Sequence, residues 1–294
     1  MDWKLLRRAA CGAVALLVVL PVVAQTSGVG AQYDSAHVYV APADVAAFAR
    51  CFLGTFGGVS TKQVVSTVTP TPSSTTSQIL QTPSGIVSLF GFTTPVPAPF
   101  GAERTGFLVR DLDVAIGEAR AAGAEVVVAA FPDPVGRDAI VRFPGGVMTQ
   151  LYWHTKAPSY APLAHLPENR VYVSLDAAGA FVKSYLQFSG GRIEQETLHA
   201  DGATIGRTGY FFRELTIRSA FGLLKVLVTD GALPWPYGRE TTGYAVADLS
   251  AALQQASSLG AIIEVKPDAA NGHSAMVRFP GGYLAELHQD SAAQ

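Results

Sequence analysis

The chain has few charges for its length. Asp, Glu, Lys and Arg make up 15% of its 294 residues, the formal net charge is −2, and no basic tract runs anywhere along it. A nucleic-acid surface needs clustered Lys and Arg, so nucleic acid is not an expected partner. Cysteine is scarcer still, with Cys11 and Cys51 alone. Cys11 falls in the apolar N-terminal run, which leaves Cys51 without an internal disulfide partner. Its neighbours (VAAFARCFLG) make it a small core residue rather than a nucleophile, because nothing in the sequence pairs it with a base. The chain also lacks G-x-S-x-G, H-E-x-x-H, C-x-x-C and a glycine-rich phosphate loop, so serine-triad hydrolysis and nucleotide binding have no support. Low-complexity sequence is confined to a short polar tract after residue 70 (TPTPSSTTS), read as a turn-rich insert and the one stretch with a disordered composition.

An apolar run from about Ala9 to Ala24 follows Lys4, Arg7 and Arg8. It is short for a membrane span and has the layout of a secretory signal, with small residues at Ala24 and Ala31 for cleavage. Residues 1–31 are therefore read as signal peptide and leader, and the mature protein as exported, periplasmic or secreted. Any membrane contact is expected only through this segment, with an uncleaved anchor as the alternative. Oligomeric state is left open.

What the sequence has in quantity is repetition. Residues 104–154 read as strand, helix and three strands. Asp111 is placed to cap the helix, Leu112, Ala115, Ile116 and Ala119 recur at helical spacing, and Gly123 ends it. Apolar runs Glu125–Ala130, Ala139–Phe143 and Val147–Trp153 follow, separated by proline and glycine. The pattern returns near the C-terminus. Asp248 matches Asp111, Gly260 matches Gly123, and VRFPGG is identical in both copies; 137 residues separate the two glycines and 136 separate Arg142 from Arg278. The intervening stretches repeat as well: HVYV (37–40) returns as RVYV (170–173), and PAPFGAE as PWPYGRE. Four strand–helix–three-strand units result. None can bury a sheet face alone, so they pair into larger curved sheets. The expected architecture is α+β, with two cup-like mixed sheets and helices outside: a first domain at 36–154, a linker at 155–169 (TKAPSYAPLAHLPEN), and a second domain at 170–290. The length suffices for two ordinary domains, each able to bury a core.

These units, with their V-x-D-L-x-x-A helix starts and the close G-R/H-x-A-x-V-R-F-P-x-G, resemble glyoxalase-like domains of the vicinal oxygen chelate superfamily. That group includes glyoxalase I, extradiol dioxygenases and bleomycin-resistance proteins. The resemblance implies two tandem domains, each with an eight-stranded open cup, and ligand positions on the first strand, on the first strand of the second unit and on the last strand. It carries His37, Arg104 and Gln150 onto the first domain and Arg170, Thr241 and Glu286 onto the second. Neither set completes the two imidazoles and one carboxylate that a catalytic divalent or ferrous ion takes. Gln150 is a weak ligand, and Arg104 would place a fixed cation beside a metal. A divalent metal on His37, Gln150 or Glu286 stays one alternative. A metal-free site, above all in the second domain, where Arg170 and Glu286 can pair directly, is the other.

Strand parity sets Met148, Tyr152 and His154 on the face of Gln150, Leu284 and His288 on the face of Glu286, and Tyr39 and Tyr172 beside His37 and Arg170. Tyr39, Arg104, Tyr152, Arg170, Tyr172 and His288 are accordingly the substrate-binding candidates, with His37 and Glu286 as catalytic ones. The competing reading is that Tyr39 and Tyr172 plug the cups. His288 with Glu286 and His199 can form an acid–base pair or a non-family metal site, or be a plain surface histidine. His165 reads as solvated linker and His273 as a turn residue. Two functions remain: a glyoxalase-like enzyme of lyase, isomerase or dioxygenase type acting on a small oxygenated molecule, and a metal-free small-molecule binding protein of the same fold.

Overall fold

A computed structural model describes residues 31–269 and 273–289. The proposed signal segment lies outside the described residues except for Ala31. Among those residues no helix is long and apolar enough to cross a membrane.

The four units are all present. The first comprises β1 (Ala36–Val40), α1 (Val45–Phe56), β2 (Val59–Ser60), β3 (Val64–Ser66), β4 (Thr75–Thr82) and β5 (Gly85–Phe92). The second comprises β6 (Gly106–Leu108), α2 (Leu112–Ala121), β7 (Glu125–Pro132), β8 (Gly136–Arg142) and β9 (Met148–His154). The third runs through β10 (Glu168–Ser174), α3 (Ala178–Ser189), β11 (Arg192–Asp201), β12 (Phe211–Ser219) and β13 (Gly222–Thr229). The fourth runs through β14 (Thr241–Val246), α4 (Leu249–Ser258), β15 (Ile262–Val265), β16 (Ala275–Arg278) and β17 (Leu284–Gln289). In every unit the first strand pairs in parallel with the last, as β1 does with β5 and β14 with β17.

The helix signals act as the sequence implies. The Asp111 side chain accepts the Val114 N–H at 3.0 Å and Asp248 that of Ala251 at 2.9 Å. Gly123 and Gly260 follow their helices at φ +93° and +100°, a region costly for any residue with a Cβ. Leu112, Ala115, Ile116 and Ala119 are buried along one face of α2.

Units three and four merge into one eight-stranded sheet ordered β11-β12-β13-β10-β14-β17-β16-β15. Units one and two form a five-stranded and a four-stranded sheet. These join edge to edge where Ala36 bridges Thr105 and the His37 N–H donates to the Arg104 carbonyl at 3.0 Å. Each half is thus a curved cup of mixed sheet.

Three expectations change. The tract after residue 70 is ordered, because β4 starts inside it and Thr75 is fully buried against β5. The strand expected at QVVSTV (63–68) is shorter, as β3, and the separate β2 also pairs with β4, where the Thr61 hydroxyl takes the Ile79 N–H at 2.9 Å. The domains also do not bury separate cores. The helices lie outside the cups but between the two halves, and each of the two large cores draws on one unit from each half.

In one core Phe48, Phe52 and Phe56 of α1 pack on Tyr244, Phe279 and Tyr283 of unit four, with the Phe52 ring 5.6 Å from those of Tyr244 and Phe279. In the other, Phe107 and Phe143 of unit two meet Phe181, Tyr185, Phe188 and Phe221 of unit three. A fully buried aromatic of this kind contributes about 1.5–3 kcal/mol by burial, and each ring pair about 0.5–1.5 kcal/mol more. Cys51 is buried within the first of these cores.

Candidate functional site

Alternation along three strands builds the inside of the first cup. His37 and Tyr39 on β1, Ser88 and Phe90 on β5, and Gln150, Tyr152 and His154 on β9 all face one cavity of about 580 Å³. Asp34, Asp133 and Asp138 add carboxyl groups to its lining, and residues 155–160 of the linker close one side. The linker is therefore a wall of the site as well as a connector, and it ends at Pro167, since β10 begins at Glu168.

His37 is 2% exposed, and its Nδ1 has no hydrogen-bond partner although Glu103 Oε1 lies 3.7 Å away. Glu103 is fully buried; its Oε1 accepts from the Tyr39 hydroxyl, while Oε2 has no partner. Ser88 donates to the Asp34 carboxylate, and the Tyr152 hydroxyl donates to the Asp34 carbonyl at 2.6 Å. Burial, then the neighbouring Asp133, Asp34 and Glu103 carboxyls, push the Asp138 acid well above the usual carboxylate range, which favours its protonated form. Asp133 is raised mainly by burial, against the N–H groups of Val135 and Gly136 that donate to it.

The second cup is built differently. Arg170 Nη1 stands 3.0 Å from Glu286 Oε1, in charge contact but off the hydrogen-bond line, and its Nε donates to Glu168. His288 Nδ1 lies 2.8 Å from Glu286 Oε2. Burial alone would raise the Glu286 acid; Arg170 and His288 outweigh it and hold the carboxylate below its ordinary value. Lys225 reaches Glu168 and Glu214 at 3.8 and 3.7 Å. Tyr172 packs into an apolar cluster with Ile205, Phe212, Leu227, Leu233 and Tyr237, so in this half the tyrosine plugs the cup.

The nominated residues thus divide. His37, Tyr39, Gln150, Tyr152 and His154 meet in the first cavity; Arg170, Tyr172, Glu286 and His288 lie in the second cup. Arg104 joins neither, since its guanidinium lies 6.0 Å over the Tyr283 ring, in the other half. The strand registers explain this. Opposite Gln150 stands Gly106, and opposite Glu286 stands Gly243, two residues beyond Arg104 and Thr241. His199 and His165 are exposed, and His273 occupies a turn at φ +60°.

These registers also test a metal of the superfamily's kind. A Cβ on Gly106 would meet His37 Nε2 at 2.6 Å, so the imidazole fills the space that a second ligand from β6 would need. A Cβ on Gly243 would meet Glu286 Oε2 at 3.0 Å and Arg170 Nε at 3.2 Å. The first cup offers one imidazole and one amide on these strands, and the second a carboxylate already neutralised by a guanidinium. No group of three or more His, Cys, Asp or Glu suited to a metal occurs among the described residues. The donor set does not fit a two-imidazole, one-carboxylate ion.

The sequence reading missed Asp34, Glu103, Asp133 and Asp138. A signal existed for two of them: Glu103 recurs as Glu240 in the mirrored connector, and Asp138 is directly opposite Tyr152 on β9.

Neither a protein-family model nor a curated protein matches the sequence. Solved structures do match. A triply substituted 4-hydroxymandelate synthase from Streptomyces coelicolor aligns with TM-score 0.61 at 13% identity, over 90% of this chain and 94% of that one. The Mn(II)-bound glyoxalase from Novosphingobium aromaticivorans aligns with TM-score 0.54 at 12% identity, over 89% and 83%. The 2,2',3-trihydroxybiphenyl 1,2-dioxygenase from Sphingomonas wittichii aligns with TM-score 0.53 at 13% identity, over 89% and 91%. The match spans both cups in each case, and the chain has the vicinal oxygen chelate fold.

Proposed function

We propose that the first cup binds a small oxygenated organic molecule without a metal such as the Mn(II) of the glyoxalase it resembles, and that the second cup serves as scaffold. The observation that carries this reading is the asymmetry between the two. The first keeps a cavity of about 580 Å³ lined by aromatics and buried polar groups, the composition of small-molecule sites. The second spends the equivalent positions on the Arg170–Glu286 pair and the Tyr172 cluster. An oxygenated ligand finds hydrogen-bond partners in Asp138 and the Gln150 amide, and its hydroxyls find acceptors in Asp34 and Asp133.

A second reading is proton-transfer catalysis, favoured by the unpartnered His37 Nδ1 at the wall of the same cavity. His37 would take a proton and Asp138 would give one. A two-imidazole, one-carboxylate metal centre would call for donors that these strands do not present.

Elemental analysis of purified protein after growth with iron, zinc, nickel and manganese, followed by His37→Ala and Glu286→Ala, tests the reading. A stoichiometric metal lost in either variant overturns it; ligand binding lost in His37→Ala and kept in Glu286→Ala supports it. Export, suggested by Lys4, Arg7, Arg8 and the apolar run after them, is part of the proposal, and N-terminal sequencing of the mature protein tests it.

A further inference from the structure

The two cups differ in how their buried acids are matched. In the second, Glu168, Glu214 and Glu286 face Arg170, Lys225 and His288. In the first, Asp34, Asp133 and Asp138 line the cavity and Glu103 stands behind it, yet no arginine lines that cavity. Its two lysines, Lys62 and Lys156, are exposed at the rim. His37 occupies the place that Arg170 has in the other half, and its Nδ1 is unpartnered at 2% exposure. Asp138 is 5% exposed, and the charged groups acting on its carboxyl are the acids Asp133, Asp34 and Glu103. A carboxyl buried without a partner costs several kcal/mol in its charged form, on the order of what holds a domain together, so such groups either stay protonated or meet a cation. Burial and these neighbouring acids favour the protonated form of Asp138. Phe90, Tyr152 and Tyr160 line the same cavity, and the faces of such rings attract ammonium groups.

We propose that the ligand of the first cup is an organic cation: an oxygenated, amine-bearing molecule whose ammonium sits by Asp138 among Phe90, Tyr152 and Tyr160. This rests on the reading of that cup as a small-molecule site and names the charge of its ligand. The ammonium supplies the positive charge that the fold provides in the second cup and withholds in the first. An anionic ligand would add to an uncompensated cluster of acids.

Three probes with one catechol body separate the possibilities when titrated calorimetrically into the full mature chain: dopamine (ammonium), 4-ethylcatechol (neutral) and 3,4-dihydroxyphenylacetate (carboxylate). The expected result is at least tenfold tighter binding of dopamine than of 4-ethylcatechol, with the carboxylate weakest. Asp138→Asn, a neutral isostere, should reduce the dopamine advantage over 4-ethylcatechol to threefold or less. Equal binding of dopamine and 4-ethylcatechol, or preference for the carboxylate, overturns the cation inference and leaves the oxygenated-ligand reading standing. Failure of all three at millimolar concentration removes that reading and the inference with it. The wild-type comparison decides the matter even if the Asp138 variant fails to fold.

Discussion

The Thr105 hydroxyl donates to the Glu240 carboxylate across the junction of the two halves, at 2.7 Å, and the Asn169 amide donates to the same oxygen at 2.9 Å. Burial raises Glu240 from an ordinary value of 4.5 to about 7, against the downward pull of these two donors and of Arg104. The folded state therefore keeps a proton that the unfolded chain releases. Stability from this group is complete below about pH 4.5 and declines as pH climbs to about 7, by up to about 3 kcal/mol. Glu240→Gln should flatten that part of the profile in urea unfolding at pH 4.5–8, leaving the share of Asp138, which has the same sign. An unchanged slope would rule out Glu240 as its source.

Residues 31–160 expressed alone should lack a cooperative melt. Half of each core would be missing, including the surfaces that cover Phe48, Phe52, Phe107 and Phe143. Near-UV circular dichroism should show no fixed aromatic packing, and addition of the complementary half should restore it. A cooperative transition near that of the intact chain would contradict the shared-core arrangement.

Removing one member of the second-cup ion pair should cost more than removing both. Glu286→Leu leaves Arg170 with Glu168 alone, a loss of about 3–5 kcal/mol for a buried pair broken on one side. Arg170→Met with Glu286→Leu should recover most of it. Denaturant unfolding of the single and double variants supplies the cycle, and additive costs would argue that the two side chains act independently.

Gly106→Ala should displace His37, since the new methyl would lie 2.6 Å from its Nε2. We expect a stability cost of about 1–3 kcal/mol from overpacking, with a matching fall in ligand affinity. Gly117→Ala is the control: its Cβ has open space on an exposed face of α2, and the change should be neutral or stabilising by about 0.5–1 kcal/mol. Equal behaviour of the two variants would show that His37 moves freely.

The architecture was legible because its determinants are local. Asp111 and Asp248, Gly123 and Gly260, and the doubled VRFPGG each state a cap, a stop or a turn without help from the rest of the chain. The site was legible only in part. Parity along β1 and β9 correctly grouped His37 with Tyr39 and Gln150 with Tyr152 and His154, because alternation needs no tertiary information. Gly106 and Gly243 could not be found by chemistry, since a glycine advertises none, and Arg104 drew the eye two residues early. Asp133 and Asp138 sit in a Pro- and Gly-bounded turn and strand, where acids are ordinarily solvated, and their place in the cavity wall is set by tertiary folding. The shared cores were likewise invisible, because the apolar face of α1 looks the same whichever partner covers it.

The imidazole of His37 lying over Gly106 bears on how such a chain can change. Any residue other than glycine at position 106 meets the ring before it can reach an ion, so a first step toward a metal centre loses stability and gains no ligand. Recovery needs two substitutions together: a donor at 106 and a different resting place for His37. A lineage that takes a single step at a time is held away from that chemistry, and the cavity is left to vary in what it binds.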